Sequence, residues 1–419
     1  MSNWNLDAYA SIRERYEARR LALVEHQGTL IAGDLPLRFL RQEAHLTTPA
    51  SNREMVFKAI ERGSAATARI LDKFGIATQE LADRLGVPVD AVEKQLAGDP
   101  RPPLVMVDGE DAQALRDDVI ARGRENAVAS FREADWNKVL RFYRPSGLNL
   151  KYCIDDLIVV LTRAAEGVPP SDYPVDGIIW PKAEHPEELE MVSDLLGELE
   201  DALGLERNRI KMQFLVESGR GAAQLIELVK PVLPRLTGII FGIADYAADV
   251  DLPVIRNDHP VCDWARAAII NVAGAVGVPA IDNMTINYPV ADKALSTMEN
   301  KVLILDRLKE AYDDAAHGQA LGMDGKWVGH PAQLFVVRLA YARAFPEDEV
   351  LREVAAIEAY TRAIEAEQGA TIIGGAMCDR AMDRHTRRRL RKAVALGYLD
   401  PQRALRAGII TGEEAAGCL

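Results

Sequence analysis

The chain has 419 residues, of which 48% are hydrophobic and 27% are charged, and its net charge at pH 7 is −13. These values are typical of a globular protein with one large domain and an appendage, or with two domains. The negative charge argues against a general nucleic-acid binder, because such proteins neutralise phosphates with lysine and arginine. No apolar run is long enough to span a bilayer. The four cysteines are scattered without a CxxC spacing, which argues against a disulfide framework or a zinc site and favours the cytoplasm.

The first part of the chain, residues 1–42, is predicted to be a helical extension that leads into the main domain. Its opening stretch has no apolar signal core and mixes both charge signs. It therefore indicates a surface helix rather than a secretion or transit peptide.

Between residues 43 and 335, short apolar runs alternate with segments of helical periodicity. Apolar runs without internal alternation suit strands that are covered on both faces, as in a parallel sheet. Eight such strands alternating with helices predict a (β/α)8 TIM barrel over residues 43–340. A doubly wound open sheet is the alternative, and the lack of a GxGxxG motif after the first strand argues against it. The eight runs cover residues 44–49, 103–111, 138–144, 176–182, 210–218, 237–245, 278–287 and 325–331.

Two segments depart from this alternation. Residues 73–100 contain two short helical patterns that resemble a helix-turn-helix. The second helix carries Asp90 and Glu93 against one Lys94, which does not suit a phosphate-lined groove, so we predict a two-helix surface insertion. Residues 341–419 show helical periodicity again and predict a C-terminal helical lid domain.

Two predicted strands end on a carboxylate. Glu217 closes the run FLVE, and Asp245 closes the run GIIFGIAD. TIM-barrel active sites lie at the carboxyl ends of the strands, and these two residues are about one strand-helix unit apart, so we expect them on neighbouring strands. Two hard carboxylates on one rim suit Mg²⁺, which takes its other ligands from water and substrate. The alternative is that one of them caps a helix or pairs with a nearby base.

Other strand ends also carry charges. Arg141 follows KVL and can bind a carboxylate with two bonds or stabilise a developing alkoxide. It could equally pair with Glu110 or Asp111, which form an acidic cluster with Asp108 on the preceding strand and need a counter-charge. Lys182 could form a Schiff base, although an electrostatic or structural role fits better beside a metal-type carboxylate pair.

The chain resembles the superfamily of citrate lyase beta subunits and malyl-CoA lyases, which also contains metal-dependent 2-oxo acid aldolases. The resemblance covers most of residues 43–335 and reaches the C-terminus. Each matching stretch is weak alone, but seven of them occur in the order of the superfamily. They are LTTPASNREMVFKAIERG, VDGEDAQALRDDVIARGREN, LRFYRPSG, WPKAEHPEEL, FLVESGRGAAQLIEL, GIIFGIADYAADV and GMDGKWVGHPAQL.

The resemblance implies roles for the strand-end residues. Glu217 and Asp245 correspond to the ligands of Mg²⁺, with Mn²⁺ as a possible substitute. Arg141 corresponds to the arginine that polarises the keto or aldehyde oxygen of the substrate. Glu110 and Asp111 correspond to the acidic pair that orients the site.

The resemblance also implies a coenzyme A ester as substrate. The stretch GATIIGGAMCDRAMDRHTRRRLRKA is similar to the C-terminal lid of the CoA-ester lyases. In that lid Asp379 occupies the position of a catalytic aspartate that often reaches a neighbouring subunit, which implies a homotrimer or hexamer. We expect Arg41, Arg53 and Arg144 to meet the CoA phosphates. No nucleic-acid or membrane partner is expected.

The function implied is a magnesium-dependent carbon–carbon lyase. It would cleave or form a 3-hydroxyacyl-CoA, such as malyl-, methylmalyl- or citramalyl-CoA, with a 2-oxo acid and a shorter acyl-CoA as the other species. One alternative is a metal-dependent 2-oxo acid aldolase that works without CoA. A second alternative is a non-catalytic protein that binds a partner through residues 73–100.

Overall fold

A computed structural model describes residues 10–29 and 35–417 of the chain. Within these residues, eight strands close into a barrel whose strand order follows the chain, and the last strand pairs in parallel with the first. The predicted (β/α)8 TIM barrel is thereby confirmed, and the open-sheet alternative is excluded. The barrel strands are β1 (Ala44–Pro49), β2 (Leu104–Asp108), β3 (Leu140–Arg144), β4 (Gly177–Trp180), β5 (Lys211–Val216), β6 (Leu236–Phe241), β7 (Ala280–Asp282) and β8 (Gly325–Val328).

Helices connect successive strands and form the layer around the barrel, and further helices precede and follow it. Short 3-10 turns cover Leu37–Leu40, Gly63–Ala65, Pro170–Asp172 and Lys230–Val232. The α-helices are α1 (Ala10–Thr29), α2 (Arg53–Arg62), α3 (Ala66–Lys73), α4 (Thr78–Leu85), α5 (Val89–Ala97), α6 (Asp117–Glu133), α7 (Cys153–Ala164), α8 (Pro186–Leu203), α9 (Gly219–Ala223), α10 (Leu225–Val229), α11 (Ile243–Asp249), α12 (Pro260–Val276), α13 (Thr297–Leu321), α14 (Pro331–Ala342), α15 (Glu347–Glu365), α16 (Arg380–Ala395), α17 (Pro401–Arg406) and α18 (Gly412–Gly417). Among the described residues, none of these helices has both the length and the apolar character needed to cross a membrane.

Side chains of the barrel strands alternate between the interior and the helix layer, as the pleat of a strand requires. On β3, Leu140 and Phe142 belong to the inner cluster, whereas Tyr143 belongs to the core between strands and helices. The same alternation turns Arg144 inward and Arg141 outward. The strand pattern therefore decides which of these two arginines can reach a site inside the barrel mouth.

The segment before β1 closes the amino end of the barrel. Leu35 and Phe39 are buried in the inner cluster. Gln42 donates to the Thr237 carbonyl at 2.8 Å and accepts from the Gln213 amide at 2.8 Å. The amino end of the barrel is therefore closed by a packed, hydrogen-bonded floor. Each fully buried apolar side chain in it contributes about 1.5–3 kcal/mol to the stability of the fold.

The predicted two-helix insertion is α4 and α5, which pack on α13 and α14 outside the barrel. Leu81 and Leu85 are buried in the main core. Gly86 ends α4 with φ +71, a left-handed conformation that glycine adopts without steric cost. Both helices thus use their apolar faces to cover the barrel. In the predicted N-terminal extension, residues 1–9 and 30–34 lie outside the described residues.

The C-terminal elements form a second, smaller core. Val354, Leu390 and Ile409 pack in a cluster that also buries Leu37 from the N-terminal segment. The region is helical as predicted, but it also contains a hairpin of β9 (Thr371–Ile373) and β10 (Ala376–Cys378) that the periodicity did not predict. The hairpin turns on Gly374 and Gly375, both with positive φ, which is the standard requirement of a tight hairpin loop.

Candidate active site

The carboxyl end of the barrel carries a group of charged residues that mostly follow directly on apolar strands. Asp108 and Arg144 end β2 and β3, Lys182 lies two residues after β4, and Glu217 directly follows β5. Arg144 and Glu217 are almost fully buried, so their charges must be balanced within the group. We call this group, together with Glu110, Asp111 and Asp245, the acidic rim.

Arg144 is fixed at the centre of the acidic rim by two parallel hydrogen bonds to Asp108. The Nε donates to Oδ1 at 2.7 Å and one terminal nitrogen to Oδ2 at 2.5 Å. The guanidinium also lies 3.3 Å from Glu110 and 5.2 Å from the Trp327 ring centroid. Burial alone would lower the pKa of Arg144, but Asp108 and Glu110 raise it above its ordinary value. Arg144 is therefore a permanent, oriented cation buried at the carboxyl end of β3.

Glu110 joins Arg144 to Lys182. The ammonium of Lys182 donates to Glu110 Oε1 at 2.8 Å and to Asp111 at 3.0 Å. Burial raises the pKa of Glu110 to about 7, and the attraction of Arg144 and Lys182 offsets only part of that rise. Its second oxygen, Oε2, is buried without a hydrogen bond of good geometry, although Arg144 lies 3.3 Å away. This corner of the acidic rim is short of positive charge.

Glu217 is buried at the base of the acidic rim. Gly242 packs directly on it: a Cβ at that position would lie 2.5 Å from Glu217 Oε1, so only glycine fits there. The Lys182 backbone N–H donates to Glu217 Oε2 at 3.0 Å. Burial raises the pKa of Glu217 to about 8; Arg144 opposes the rise, and the charges of Glu110 and Asp245 add to it. Because its pKa is raised in this way, Glu217 can lose its proton when a metal cation binds beside it.

Asp245 completes the acidic rim from a helix rather than from a strand end. The predicted strand 237–245 ends early, at Phe241, and Asp245 falls in the first turn of α11. Its side chain is 47% exposed and lies 3.9 Å from Lys182 Nζ. The helix begins at Ile243 because Gly242 ends the strand in extended backbone. The half-exposed Asp245 and the buried Glu217 thus come from two neighbouring strand-helix units, and both lie near Lys182.

The donor set fits Mg²⁺. Two carboxylates leave most of an octahedral shell for water and substrate, which is how this ion is commonly held. Among the described residues there is no group of three or more histidine, cysteine, aspartate or glutamate side chains arranged to hold a metal. The crowding of Glu217 with Glu110 and Asp245 is the independent sign that the site favours an added cation.

Arg141 lies outside the acidic rim, which corrects its predicted position. It is the second residue of β3 and pairs with Asp176, the residue before β4, with Nε 3.2 Å from Oδ2. Its backbone N–H donates to the same carboxylate at 2.9 Å, and Arg38 pairs with that carboxylate too. Arg141 is therefore at the amino end of the barrel, and Arg144 is the arginine of β3 at the carboxyl end.

The predicted CoA-phosphate residues are separated in the structure. Arg41 precedes β1 and lies at the amino end of the barrel. Arg53 pairs with Glu133 at 2.5 Å and covers the Phe57 ring at 4.6 Å. Arg144 is buried in its pair with Asp108. The three arginines do not form one phosphate-binding group.

Asp379 is the N-cap of α16. Its Oδ1 accepts from the backbone N–H groups of Ala381 at 2.9 Å and Met382 at 3.0 Å. In the part of the chain that the structure describes, no hydrogen bond or ion pair links Asp379 to the acidic rim. Its catalytic role stays a prediction, and its contacts show only that the carboxylate is held in place at a helix start.

Sequence reasoning missed the aromatic wall that Tyr288 and Trp327 contribute to the barrel mouth. The Tyr288 and His330 ring centroids are 6.1 Å apart, and Tyr288 packs against Gly329. Burial lowers the pKa of His330 to about 4, and its Nδ1 accepts from the Ala332 N–H, so the ring is a neutral cap of α14. The inward position of Trp327 on β8 is the one signal in the sequence that could have revealed this wall.

Comparison with known proteins finds similar sequences among the L-malyl-CoA/beta-methylmalyl-CoA lyases. It is 26% identical over 223 residues to an L-malyl-CoA/beta-methylmalyl-CoA lyase of Haloarcula marismortui, covering 53% of this chain and 60% of that protein. It is 25% identical over 307 residues to the enzyme of the same name from Rhodobacter capsulatus, covering 69% and 87%. The first match thus spans less than two thirds of its relative's length.

Two solved structures share the fold. A citrate lyase from Burkholderia xenovorans LB400 aligns with a TM-score of 0.56 at 19% identity, over 92% of this chain and 97% of that one. Protein CitE from Mycobacterium tuberculosis, in complex with magnesium, acetoacetate and coenzyme A, aligns with a TM-score of 0.51 at 20% identity, over 84% and 98%.

Barrel, acidic rim and relatives together define the class: this is a TIM-barrel protein of the citrate lyase beta subunit and malyl-CoA lyase superfamily. The predicted resemblance is confirmed. Within that superfamily the chain belongs to the family described as a domain of unknown function (DUF6986), whose model matches residues 152–417, well over half of the chain.

Proposed function

We propose that this protein is a magnesium-dependent carbon–carbon lyase that acts on a 3-hydroxyacyl-CoA. It cleaves the ester to a 2-oxo acid and a shorter acyl-CoA, or runs the reverse condensation. Malyl-, methylmalyl- and citramalyl-CoA are the substrates of choice, because relatives named for malyl-CoA and beta-methylmalyl-CoA match the chain. Scattered cysteines, of which Cys153, Cys262 and Cys378 are free thiols, favour a cytoplasmic location.

The observation that carries the proposal is the meeting of Glu217, Asp245 and Arg144 at one barrel mouth. A buried carboxylate that would gain from an added cation and a half-exposed carboxylate lie near a buried, oriented guanidinium. A 2-oxo acid offers the matching chemistry, because its carboxylate and its adjacent oxygen together form a chelating pair.

Glu217 and Asp245 would hold the magnesium ion, which supplies Lewis-acid chemistry at the oxygen of the substrate when it is bound. The similar fold of CitE, whose structure is a complex with magnesium, acetoacetate and coenzyme A, supports this choice of ion and substrate. The half-exposed Asp245 leaves room for the ligand to enter. Mn²⁺ has the same preference for oxygen ligands and would replace magnesium in solution tests.

Cleavage requires that the 3-hydroxyl of the substrate lose its proton to water, and Arg144 stabilises the alkoxide that results. The charge passes from this oxygen to C2 as the carbon–carbon bond breaks, and it returns to the same oxygen in the reverse condensation. The two bonds from Asp108 fix the plane of the guanidinium before the substrate arrives, so little reorganisation is needed during the reaction. Trp327 on one side excludes water and strengthens the attraction. We assign to Arg144 the role that the sequence had suggested for Arg141.

Bond cleavage between C2 and C3 of the ester leaves an electron pair on C2, as the enolate of the shorter thioester. A proton must be added there to release the acyl-CoA. Asp379 on the lid is our choice for this proton donor, acting in general acid/base fashion. Its segment would reach the acidic rim of a neighbouring subunit in a homotrimer or hexamer, and closure of the lid would exclude water.

The test is a panel assay. The protein is incubated with Mg²⁺ and malyl-, methylmalyl- or citramalyl-CoA, and mass spectrometry follows the acyl-CoA and 2-oxo acid released. We expect cleavage of at least one ester, lost when EDTA is added. No cleavage of any CoA ester, together with cleavage of a free 2-oxo acid aldol, would replace this proposal with the CoA-independent aldolase.

A further inference from the structure

The backbone at Lys182 is unusual for its residue type. Its φ is +50, in the left-handed region that lysine rarely adopts. Other described non-glycine residues with positive φ include Asn137, Asn208 and Asp251, types that tolerate this region far better. Strained residues of this kind persist where surrounding contacts hold them, and they cluster at functional sites.

The contacts that hold Lys182 all belong to the acidic rim. Its backbone N–H donates to Glu217 Oε2 at 3.0 Å, and its ammonium donates to Glu110 Oε1 at 2.8 Å. The same ammonium lies 3.0 Å from Asp111 Oδ2 and 3.9 Å from Asp245 Oδ1. Lys182 thus contacts four of the five carboxylates of the acidic rim, two through close ion pairs, one through its backbone and one at the limit of an ion pair.

The position of the ammonium matters for cation binding. Arg144 is buried in its pairs with Asp108 and Glu110, whereas Lys182 carries the partly exposed positive charge of the acidic rim. Its side chain is 35% exposed and ends a flexible stem, whereas the arginine is buried and planar. A dication held by Asp245 comes close to this ammonium and is repelled by it.

We propose that Lys182 is a resident counter-cation of the metal site: its ammonium balances the acidic rim when no metal is bound, and it lowers the affinity of the site for divalent cations. The proposal rests on the proposed function only in placing the metal at Glu217 and Asp245. Lys182 then has two roles. Its ammonium holds Glu110 and Asp111 in position, and the same ammonium opposes the binding of a metal ion, so these two events are coupled through one side chain.

The experiment is a calorimetric titration of the substrate-free protein with Mn²⁺. Lys182→Met keeps the length of the side chain and removes the charge, and we expect it to bind Mn²⁺ about tenfold more tightly than the natural protein. Lys182→Arg keeps the charge and should bind within about threefold of the natural protein. Equal or weaker binding by a folded Lys182→Met would overturn the proposal, since a purely structural lysine cannot repel a metal.

Two further variants keep the test decisive. If Lys182→Met does not fold, Lys182→Gln serves in its place, because its amide can still donate to Glu110. In the double variant Lys182→Met/Asp111→Asn one negative charge is removed with the positive one, so the affinity should return toward the natural value; continued tight binding would contradict a charge effect. Because Mn²⁺ binding is measured without any CoA ester, failure here and failure of the lyase assay are separate results.

Discussion

Both ends of the barrel pair arginine with carboxylates, but the balance between positive and negative charge differs between the two ends. At the amino end Arg141 and Arg38 both pair with Asp176, whose pKa is held below its ordinary value because these two arginines outweigh the effect of burial. At the carboxyl end Arg144 must serve Asp108 and Glu110.

The balance of charge therefore separates a structural end from a functional one. At the amino end Asp176 is fully paired and lies beside a packed floor. At the carboxyl end burial raises the pKa of Glu217 to about 8 and of Glu110 to about 7. Shifts of this kind, caused by burial and by like charges in a cleft, are typical of sites that bind a cation or move protons.

The largest expected effect comes from removing one carboxylate of the metal pair. Glu217→Gln keeps the size of the side chain but loses the charge that holds magnesium. We expect Mg²⁺-dependent turnover of the CoA ester to fall on the order of 10³-fold, because a Lewis acid contributes several kcal/mol to such reactions. The exposed Glu227→Gln is the matched control. Unchanged turnover in folded Glu217→Gln would contradict the metal assignment.

The second effect separates the two arginines of β3. Arg144→Lys keeps a positive charge but cannot make two parallel bonds to Asp108, so the cation loses its fixed direction. We expect kcat to fall about 10²–10³-fold, as when one preorganised donor is removed from an oxyanion site. Arg141→Lys, measured beside it, should keep kcat within about twofold. A larger loss in Arg141→Lys than in Arg144→Lys would reverse the assignment.

The third effect is on stability at the amino end. Arg141→Met leaves the buried Asp176 with fewer partners, and we expect the free energy of unfolding to fall by about 2 kcal/mol. Arg38 pairs with the same carboxylate from a half-exposed position, so Arg38→Met should cost less, about 0–1 kcal/mol. Urea denaturation measures both values. Equal losses would show that Arg141 is not the principal partner of Asp176.

The last effect, similar in size to the third, is a pH dependence of the amino-end floor that develops only as the pH is lowered. Burial lowers the pKa of His45 to about 3 from the ordinary value of 6.5, and its Nε2 donates to Gln42 at 3.0 Å. The unfolded chain then binds the proton more readily, so stability from this residue is complete above pH 6.5 and is lost as the pH falls toward 3. Between pH 7 and pH 5 the loss is about 2 kcal/mol.

Replacement of His45 by glutamine tests that sign. His45→Gln keeps a donor toward Gln42 but cannot be charged, so its unfolding free energy should fall less between pH 7 and pH 5 than that of the natural protein. Parallel curves for the two proteins over this interval would show that His45 does not titrate on unfolding.

Much of the fold could be predicted from the sequence, because strands buried on both faces have a strong apolar signal. The boundaries were less certain: the strand predicted to end at Asp245 stops at Phe241, since GIAD continues as a helix turn. The hairpin at Gly374 and Gly375 was missed because its strands are only three residues long and none of their described side chains is fully buried.

The site could be predicted in part. Glu217 follows an unbroken apolar run, and a charge in that position is conspicuous. Arg141 and Arg144 are harder to tell apart, although Leu140 and Phe142 share an inward face that alternation extends to Arg144. The counter-cation role of Lys182 depends on a left-handed backbone and on contacts with distant residues, and neither leaves a signal in a single sequence.

The most direct test of the lyase is cleavage in deuterated water. The protein is incubated with Mg²⁺ and malyl-CoA, and mass spectrometry follows the thioester product. The account predicts acetyl-CoA that carries at least one deuterium, with glyoxylate in equal amount and no product after EDTA. Release of free CoA and malate instead would show thioester hydrolysis without carbon–carbon cleavage, and would contradict it.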